Sequence, residues 1–155
     1  GRWNLSVYHT VNFVNRVLVA QNGPVLNLLE GDALSSGGVA RHALEFEGGG
    51  FYKGMGLRLN GTWSAPTRVT SAASDLRFGA LFKANARLFI DLGQQKSLVK
   101  DTPFFKGARL SVYANNLFDQ RQKVTDANGI TPYAYQAAYM DPNWRMLGVE
   151  FRKMF

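Results

Sequence analysis

The sequence predicts an all-β chain of antiparallel, up-and-down strands of the transmembrane β-barrel kind, and three observations predict it. The first is the stretch 75–92, DLRFGALFKANARLFIDL, whose even positions from Leu76 to Leu92 are all apolar while every charge falls on an odd position. Side chains alternate across a strand with period two, so this is a strand with one apolar and one wet face. The second is length. Strands of globular proteins usually run about 5–6 residues, whereas a membrane-spanning strand needs about 9–11. At roughly 3.3 Å per residue the stretch reaches roughly 60 Å, and even tilted by about 40° it overshoots the roughly 25 Å apolar band of an outer-membrane barrel. The third is composition: 46% of residues are hydrophobic, yet the mean hydropathy is slightly negative at −0.17. Apolar residues are therefore interleaved with polar ones rather than blocked together. Register is fixed by cost, because a one-residue slip would turn Arg77, Lys83 and Arg87 toward lipid at about 2–4 kcal/mol each near the midplane.

A chain of 155 residues is one domain or part of a larger one. No apolar run is long enough for a transmembrane helix, and no signal-peptide pattern is visible. An outer-membrane protein needs such a signal, and the chain opens inside a strand pattern. The expectation is that the N-terminus of the whole protein lies upstream and that residues 1–155 are the C-terminal segment of a barrel domain. The absence of cysteine excludes a disulfide framework and any thiolate metal site. The net charge of +7 could suit an anionic partner, but the cations stand singly among apolar residues. That argues against nucleic acid, which is met by clustered basic and stacking residues.

In chain order, 2–13 alternates Trp3, Leu5, Val7, His9, Val11 and Phe13 against Arg2, Asn4, Ser6, Tyr8, Thr10 and Asn12. A long Gly- and Asn-rich connection follows over 14–40, in which Pro24 can open a short helix stopped by Gly31, or a loop packing its own apolar cluster. Residues 41–47 form a second strand with Leu44 and Phe46 outward and Glu45 and Glu47 inward, and GGGFYKG at 48–54 reads as a turn. A third strand alternates Met55, Leu57, Leu59, Gly61 and Trp63 against Gly56, Arg58, Asn60, Thr62 and Ser64, and a connection with Pro66 leads to the 75–92 strand. Residues 93–106 make a turn. The fifth strand, 107–118, sets Ala108, Leu110, Val112 and Ala114 against Arg109, Ser111, Tyr113 and Asn115. A polar loop over 119–141 contains Asn128-Gly129 and Pro132 as turn markers. The last strand, 143–155, aligns Leu147, Val149, Phe151 and Phe155. About six strands result, all joinable as neighbouring hairpins. Open edges find no backbone partner in lipid and barrels of this class start at eight strands, so the six belong to a larger barrel.

The wet faces carry Arg2, Arg41, Arg58, Arg77, Lys83, Arg87, Arg109 and Arg152 against Glu45, Glu47, Asp75, Asp91 and Glu150. Candidate lumen-lining residues are Arg58, Asn60, Arg77, Lys83, Arg87, Arg109 and Tyr113. A basic lumen favours anionic solutes, although neighbouring strands ordinarily pair such charges with one another. His9 and His42 fall on apolar faces, which suits an interface rather than catalysis; a Ser-His-Asp arrangement needs a histidine on the wet face. Asp126-x-Asn128-Gly129 resembles part of a calcium loop but lacks the closing Glu, so a β-turn is expected. No catalytic, cofactor or metal site is predicted.

The run GARLSVYANNLFDQRQKV…YMDPNWRMLGVEFRKMF resembles the end of a TonB-dependent outer-membrane receptor. The carriers are Asn116-Leu117-Phe118-Asp119 closing the penultimate strand, then a polar loop, then an alternating strand ending in Phe155. The middle portion from Asn22-Gly23-Pro24-Val25-Leu26 through Gly31-Asp32-Ala33-Leu34 to the Trp63 strand is similar to that family as well. The resemblance implies a barrel of about 22 strands plugged by an N-terminal domain, of which this chain supplies the last six. It implies residence in the outer membrane of a Gram-negative bacterium with the C-terminus periplasmic, and import of a scarce small-molecule ligand such as a siderophore or carbohydrate. Energy would come from the TonB complex through the N-terminal part, and the barrel-assembly machinery would read Val149, Phe151 and Phe155. Lys153 and Gln122 stand where the family often has an apolar residue and Tyr. A passive porin-like barrel, or a soluble β-barrel holding an apolar ligand with its charges outward, would use the same strands differently.

Overall fold

The computed structural model describes residues 1–32, 37–71, 74–140 and 144–154. In chain order its strands are β1 (Arg2–Val11), β2 (Arg16–Leu18), β3 (Val25–Asn27), β4 (His42–Tyr52), β5 (Met55–Ser64), β6 (Thr67–Ser71), β7 (Ser74–Phe78), β8 (Leu81–Asp91), β9 (Ala108–Asn115), β10 (Val124–Thr125) and β11 (Met146–Lys153). Two short helices, α1 (Lys96–Asp101) and α2 (Ala137–Met140), lie in connections. The described residues are thus mostly antiparallel β, and no described helix is long and apolar enough to cross a membrane. Strands β1-β4-β5-β8-β9-β11 form one six-stranded sheet in that spatial order. Every pairing in it is antiparallel. It is open, with β1 and β11 at its edges.

Directly opposed residues of antiparallel strands share a face, so the register can be read as rows. Trp3, Gly50, Leu57, Leu88, Val112 and Val149 form one row across all six strands. Leu5, Gly48, Leu59, Ala86, Ala114 and Leu147 form the next. The same face carries no charged residue until Lys153, at the end of β11. Uncovered side chains dominate it: Trp3 is 83%, Leu88 61% and Val149 70% exposed. On the opposite face the rows are polar, for example Asn4, Gly49, Arg58, Arg87, Tyr113 and Gly148.

The two ends of the sheet differ. At one end lie the Lys53-Gly54 turn, both residues at positive φ (47° and 82°) as a two-residue hairpin demands, and the connection 92–107 containing α1. At the other end lie the connections 12–41, 65–80 and 116–145. These build a cap of their own, in which β10-β7-β6 make a three-stranded sheet and β2-β3 a hairpin. The hydrophobic core of buried residues is there: Val69, Leu76, Phe78 and Val124, with Tyr135 set edge-on to Phe78 at 5.6 Å between ring centres. The Thr70 N–H donates to Gly31 O (2.8 Å) and the Gly79 N–H to Lys123 O (2.8 Å), so all three connections are stitched together.

The single strand expected over 75–92 is two strands in two sheets. Gly79 and Ala80 interrupt it, and Leu76 and Phe78 enter the cap core instead of facing outward. Alternation runs unbroken through the interruption because each sheet separately requires one apolar and one wet face. Residues 48–52, expected as a turn, continue β4. Gly49 fits where a Cβ would stand 2.7 Å from the Leu57 carbonyl oxygen. Around Pro24 the chain makes the β2-β3 hairpin rather than a helix. The connection at Pro66 contains β6, the loop 119–141 contains β10 and α2, and the expected turn 93–106 contains α1. Segments this short leave no periodicity to read.

Candidate functional site: the polar face of the sheet

Adjacent strands β5, β8 and β9 bring Arg58, Asn60, Lys83, Arg87, Arg109 and Tyr113 onto one surface, as strand parity dictates. Arg77 is not among them; it sits on β7 in the cap, opposite Arg68 and Thr125. Arg58 lies directly across from Arg87 and Lys83 across from Thr62. Like charges opposed on neighbouring strands are unfavourable unless something neutralises them. Arg87 has such a partner, because its Nη1 lies 3.0 Å from Glu150 Oε2 and its guanidinium lies 5.3 Å from the Tyr113 ring centre. Arg109 is held 3.5 Å from Asp91 Oδ2, the residue facing it across the ladder. Arg58 has no carboxylate in ion-pair range among the described residues; its guanidinium lies over the Phe89 ring at 5.9 Å, with Arg109 over the same ring at 4.9 Å.

Beside these charges runs an amide chain. Asn85 Nδ2 donates to Asn60 Oδ1 (2.8 Å), and Asn85 Oδ1 accepts the Asn116 N–H (2.9 Å). Arg58, Asn60, Asn85, Arg87, Tyr113 and Asn115 line an open depression of about 480 Å³. The arrangement offers guanidinium donors, amides and aromatic faces in a shallow concavity, suited to holding an anionic or hydroxyl-rich solute by hydrogen bonds. Sequence reasoning omitted Phe51 and Phe89, stacked at 6.1 Å on this same face. Their odd positions were the available signal. It also omitted Asn85, whose role depends on a residue far along the chain.

The Asn116-Leu117-Phe118-Asp119 segment is a turn that closes β9, the Asp119 N–H donating to Asn116 O (2.9 Å). Asn116 and Asp119 take φ of 51° and 52°, a region Asn and Asp tolerate better than most residues. Asn116 Oδ1 accepts the Gln120 N–H (2.9 Å), the Leu117 N–H donates to Ala84 O (2.7 Å), and Asp119 Oδ1 accepts the Arg145 N–H (3.0 Å). The turn thus fixes the start of β11 against the end of β9. Phe118 extends a ring cluster with Phe82 and Phe46. Of the expected assembly signal, Val149 and Phe151 are exposed on the apolar face, and Phe155 lies outside the described residues.

In the cap, Arg68 Nη2 meets Asp75 Oδ2 at 2.5 Å across β6-β7. The hydrogen-bonded Arg68 holds the Asp75 carboxyl below its ordinary range, and Asp75 raises Arg68 in turn. His9 and His42 stack at 5.4 Å, with Nε2 of one 3.2 Å from Nδ1 of the other. Asp126 Oδ1 accepts the N–H groups of Asn128 and Ile130, which makes this segment the expected turn. Comparison with protein-family models, with curated proteins and with solved structures finds no match for the chain.

Proposed function

We propose that the chain forms part of the wall of a transmembrane β-barrel importing a solute across the bacterial outer membrane, its apolar face against lipid and its polar face toward the lumen. One observation carries the reading: in-register strands set a largely uncovered apolar surface across the six-stranded sheet, without charge until Lys153 at its end, and its exposed large side chains include Trp3, Leu5, Val7, Leu88, Leu147 and Val149. Soluble monomers rarely expose contiguous apolar patches beyond a few hundred Å². A soluble sandwich or ligand-holding barrel would spend such a face on its core, yet the buried apolar residues of this sheet are the small Ala84, Ala108 and Ala114, and the large ones lie in the cap. Length agrees as well. The eleven residues of β8 rise roughly 36 Å, and with a tilt of about 40° they fit the roughly 25 Å apolar band.

Within that class we infer a TonB-dependent receptor, because the Asn116–Asp119 turn and the alternating β11 resemble that family and the three cap-building connections suit the longer outer loops of such barrels. The chain contains no cysteine, so single cysteines can be placed at Leu88, Val149, Asn85 and Tyr113 and labelled in the membrane-inserted protein. Labels at Leu88 and Val149 should be quenched by brominated acyl chains, and those at Asn85 and Tyr113 by a water-soluble quencher. Labels at Leu88 and Val149 shielded from lipid in a detergent-free folded monomer would transfer the chain to the soluble class. Uptake that survives collapse of the inner-membrane proton gradient would make the barrel passive.

A further inference from the structure

The chain carries 18 Lys and Arg against 11 Asp and Glu, and this excess is not spread over the molecule. At the sheet end that holds the Lys53-Gly54 turn and the connection 92–107, Lys53 caps the β4-β5 hairpin and Lys96, Lys100 and Lys106 follow along the connection. Arg2, Arg152 and Lys153 complete the same end from β1 and β11. Arg109 lies level with Arg152, and the acids at these levels are Asp91, Asp101 and Glu150. Eight cations against three acids leave ten against eight for the whole remainder, so most of the net charge of +7 belongs to this end. The cap end is close to neutral, and the rest of the polar face sets Arg58, Lys83 and Arg87 against Glu45 and Glu47.

This basic collar adjoins the apolar face. Tyr52, next to Lys53, is 56% exposed, with the Lys53 ammonium 5.2 Å from its ring centre. Phe104 stacks on Phe151, and the Lys153 ammonium lies 5.7 Å from the Phe104 ring centre while donating to the Lys106 carbonyl oxygen at 2.6 Å. Lys53, Lys96, Lys100 and Lys106 are all exposed. Amphipathic cations and aromatic rings bordering an apolar band sit at headgroup depth, where each cation adds attraction for an anionic leaflet.

We propose that this collar is a docking surface for anionic phospholipid headgroups, fixing which end of the sheet enters the phosphate layer first and how deep it sits. The proposal rests on the membrane reading of the apolar face, and the test separates the two. The detergent-folded chain is offered to neutral phosphatidylcholine vesicles and to vesicles containing phosphatidylglycerol, and bound protein is measured by flotation at low and high salt. Tighter partition onto the phosphatidylglycerol vesicles is expected, by about tenfold or more at low salt and with most of the difference gone at high salt. The fourfold variant Lys53→Gln, Lys96→Gln, Lys100→Gln, Lys106→Gln should lose that preference while retaining its binding to neutral vesicles. A control, Arg16→Gln with Lys123→Gln in the cap, should keep it. Equal binding to both vesicles, or equal loss in the control, overturns the collar and leaves the apolar face standing; capture of polyglutamate with no lipid preference also overturns it by giving the surface to an acidic protein. Binding to neither vesicle defeats the membrane reading itself.

Discussion

At the scale of single residues, cations of the polar face differ in whether a carboxylate answers them. Arg109 answers Asp91 and Arg87 answers Glu150, whereas Arg58 faces Arg87 and rests on Phe89. An incoming anion would neutralise the Arg58–Arg87 opposition, so Arg58→Gln should weaken uptake of an anionic solute by about tenfold, the worth of one charge-assisted hydrogen bond. Arg109→Gln should do less for uptake and more to the sheet, since it leaves Asp91 without its guanidinium. Competition between charged and neutral ligands measures the difference, and equal effects from both variants would remove Arg58 from the site. In the cap, a carboxyl whose folded pKa is depressed stabilises above its unfolded value and loses that contribution as pH falls through the folded value. Asp75 is such a group. Cleavage of the 65–80 connection by an acid-tolerant protease should therefore quicken only below about pH 4, and Asp75→Asn should make it quick at neutral pH and abolish the acid step.

At the scale of elements, most of what was legible in the sequence is what period two can write. The six long strands, their order and the face of nearly every residue follow from alternation, because each has one apolar and one polar face. The break at Gly79 was not legible, since the cap sheet makes the same demand on Leu76 and Phe78 that a membrane would. Nor were β6 and β10, whose lengths are too short for a pattern; β10 also pairs with a strand remote in sequence. The Asn116–Asp119 turn was visible as a motif, but its purpose emerges only from the Asn85 side chain on β8, which satisfies the Asn116 N–H. Asn85→Ala leaves that half-buried donor unpaired and opens the Asn60 contact, at a cost of about 1–3 kcal/mol, read as a lower denaturation midpoint of the folded sheet. Gly61→Ala tests close packing across strands. A Cβ there would collide with the Phe46 ring and stand 2.7 Å from the Lys83 carbonyl oxygen, and overpacking of this kind costs about 1–3 kcal/mol. An unchanged midpoint in either variant would contradict the geometry.

At the scale of the whole molecule, two layers are stabilised by different means. The sheet is held by its backbone ladder, cross-strand pairs and, on the reading above, a surrounding bilayer; the cap has a small core of its own, in which Val124 is fully buried and Phe78 nearly so. Their coupling runs through Gly79 and the Asn116–Asp119 turn rather than through a shared core, because the four core residues Val69, Leu76, Phe78 and Val124 all lie in the connections. A cavity in the cap should therefore loosen one layer and spare the other. Phe78→Ala removes a ring that packs edge-on against Tyr135, a change that typically costs about 3–5 kcal/mol in a well-packed core. Amide exchange in the folded protein should accelerate over 67–71 and 74–78 and at Val124 and Thr125, which share the β10-β7-β6 ladder, while β5 and β8 keep wild-type protection. Loss of protection in β5 and β8 to the same degree would mean that the layers fold as one unit. The sheet would then depend on the cap, and its uncovered face could no longer be treated as stable apart from it.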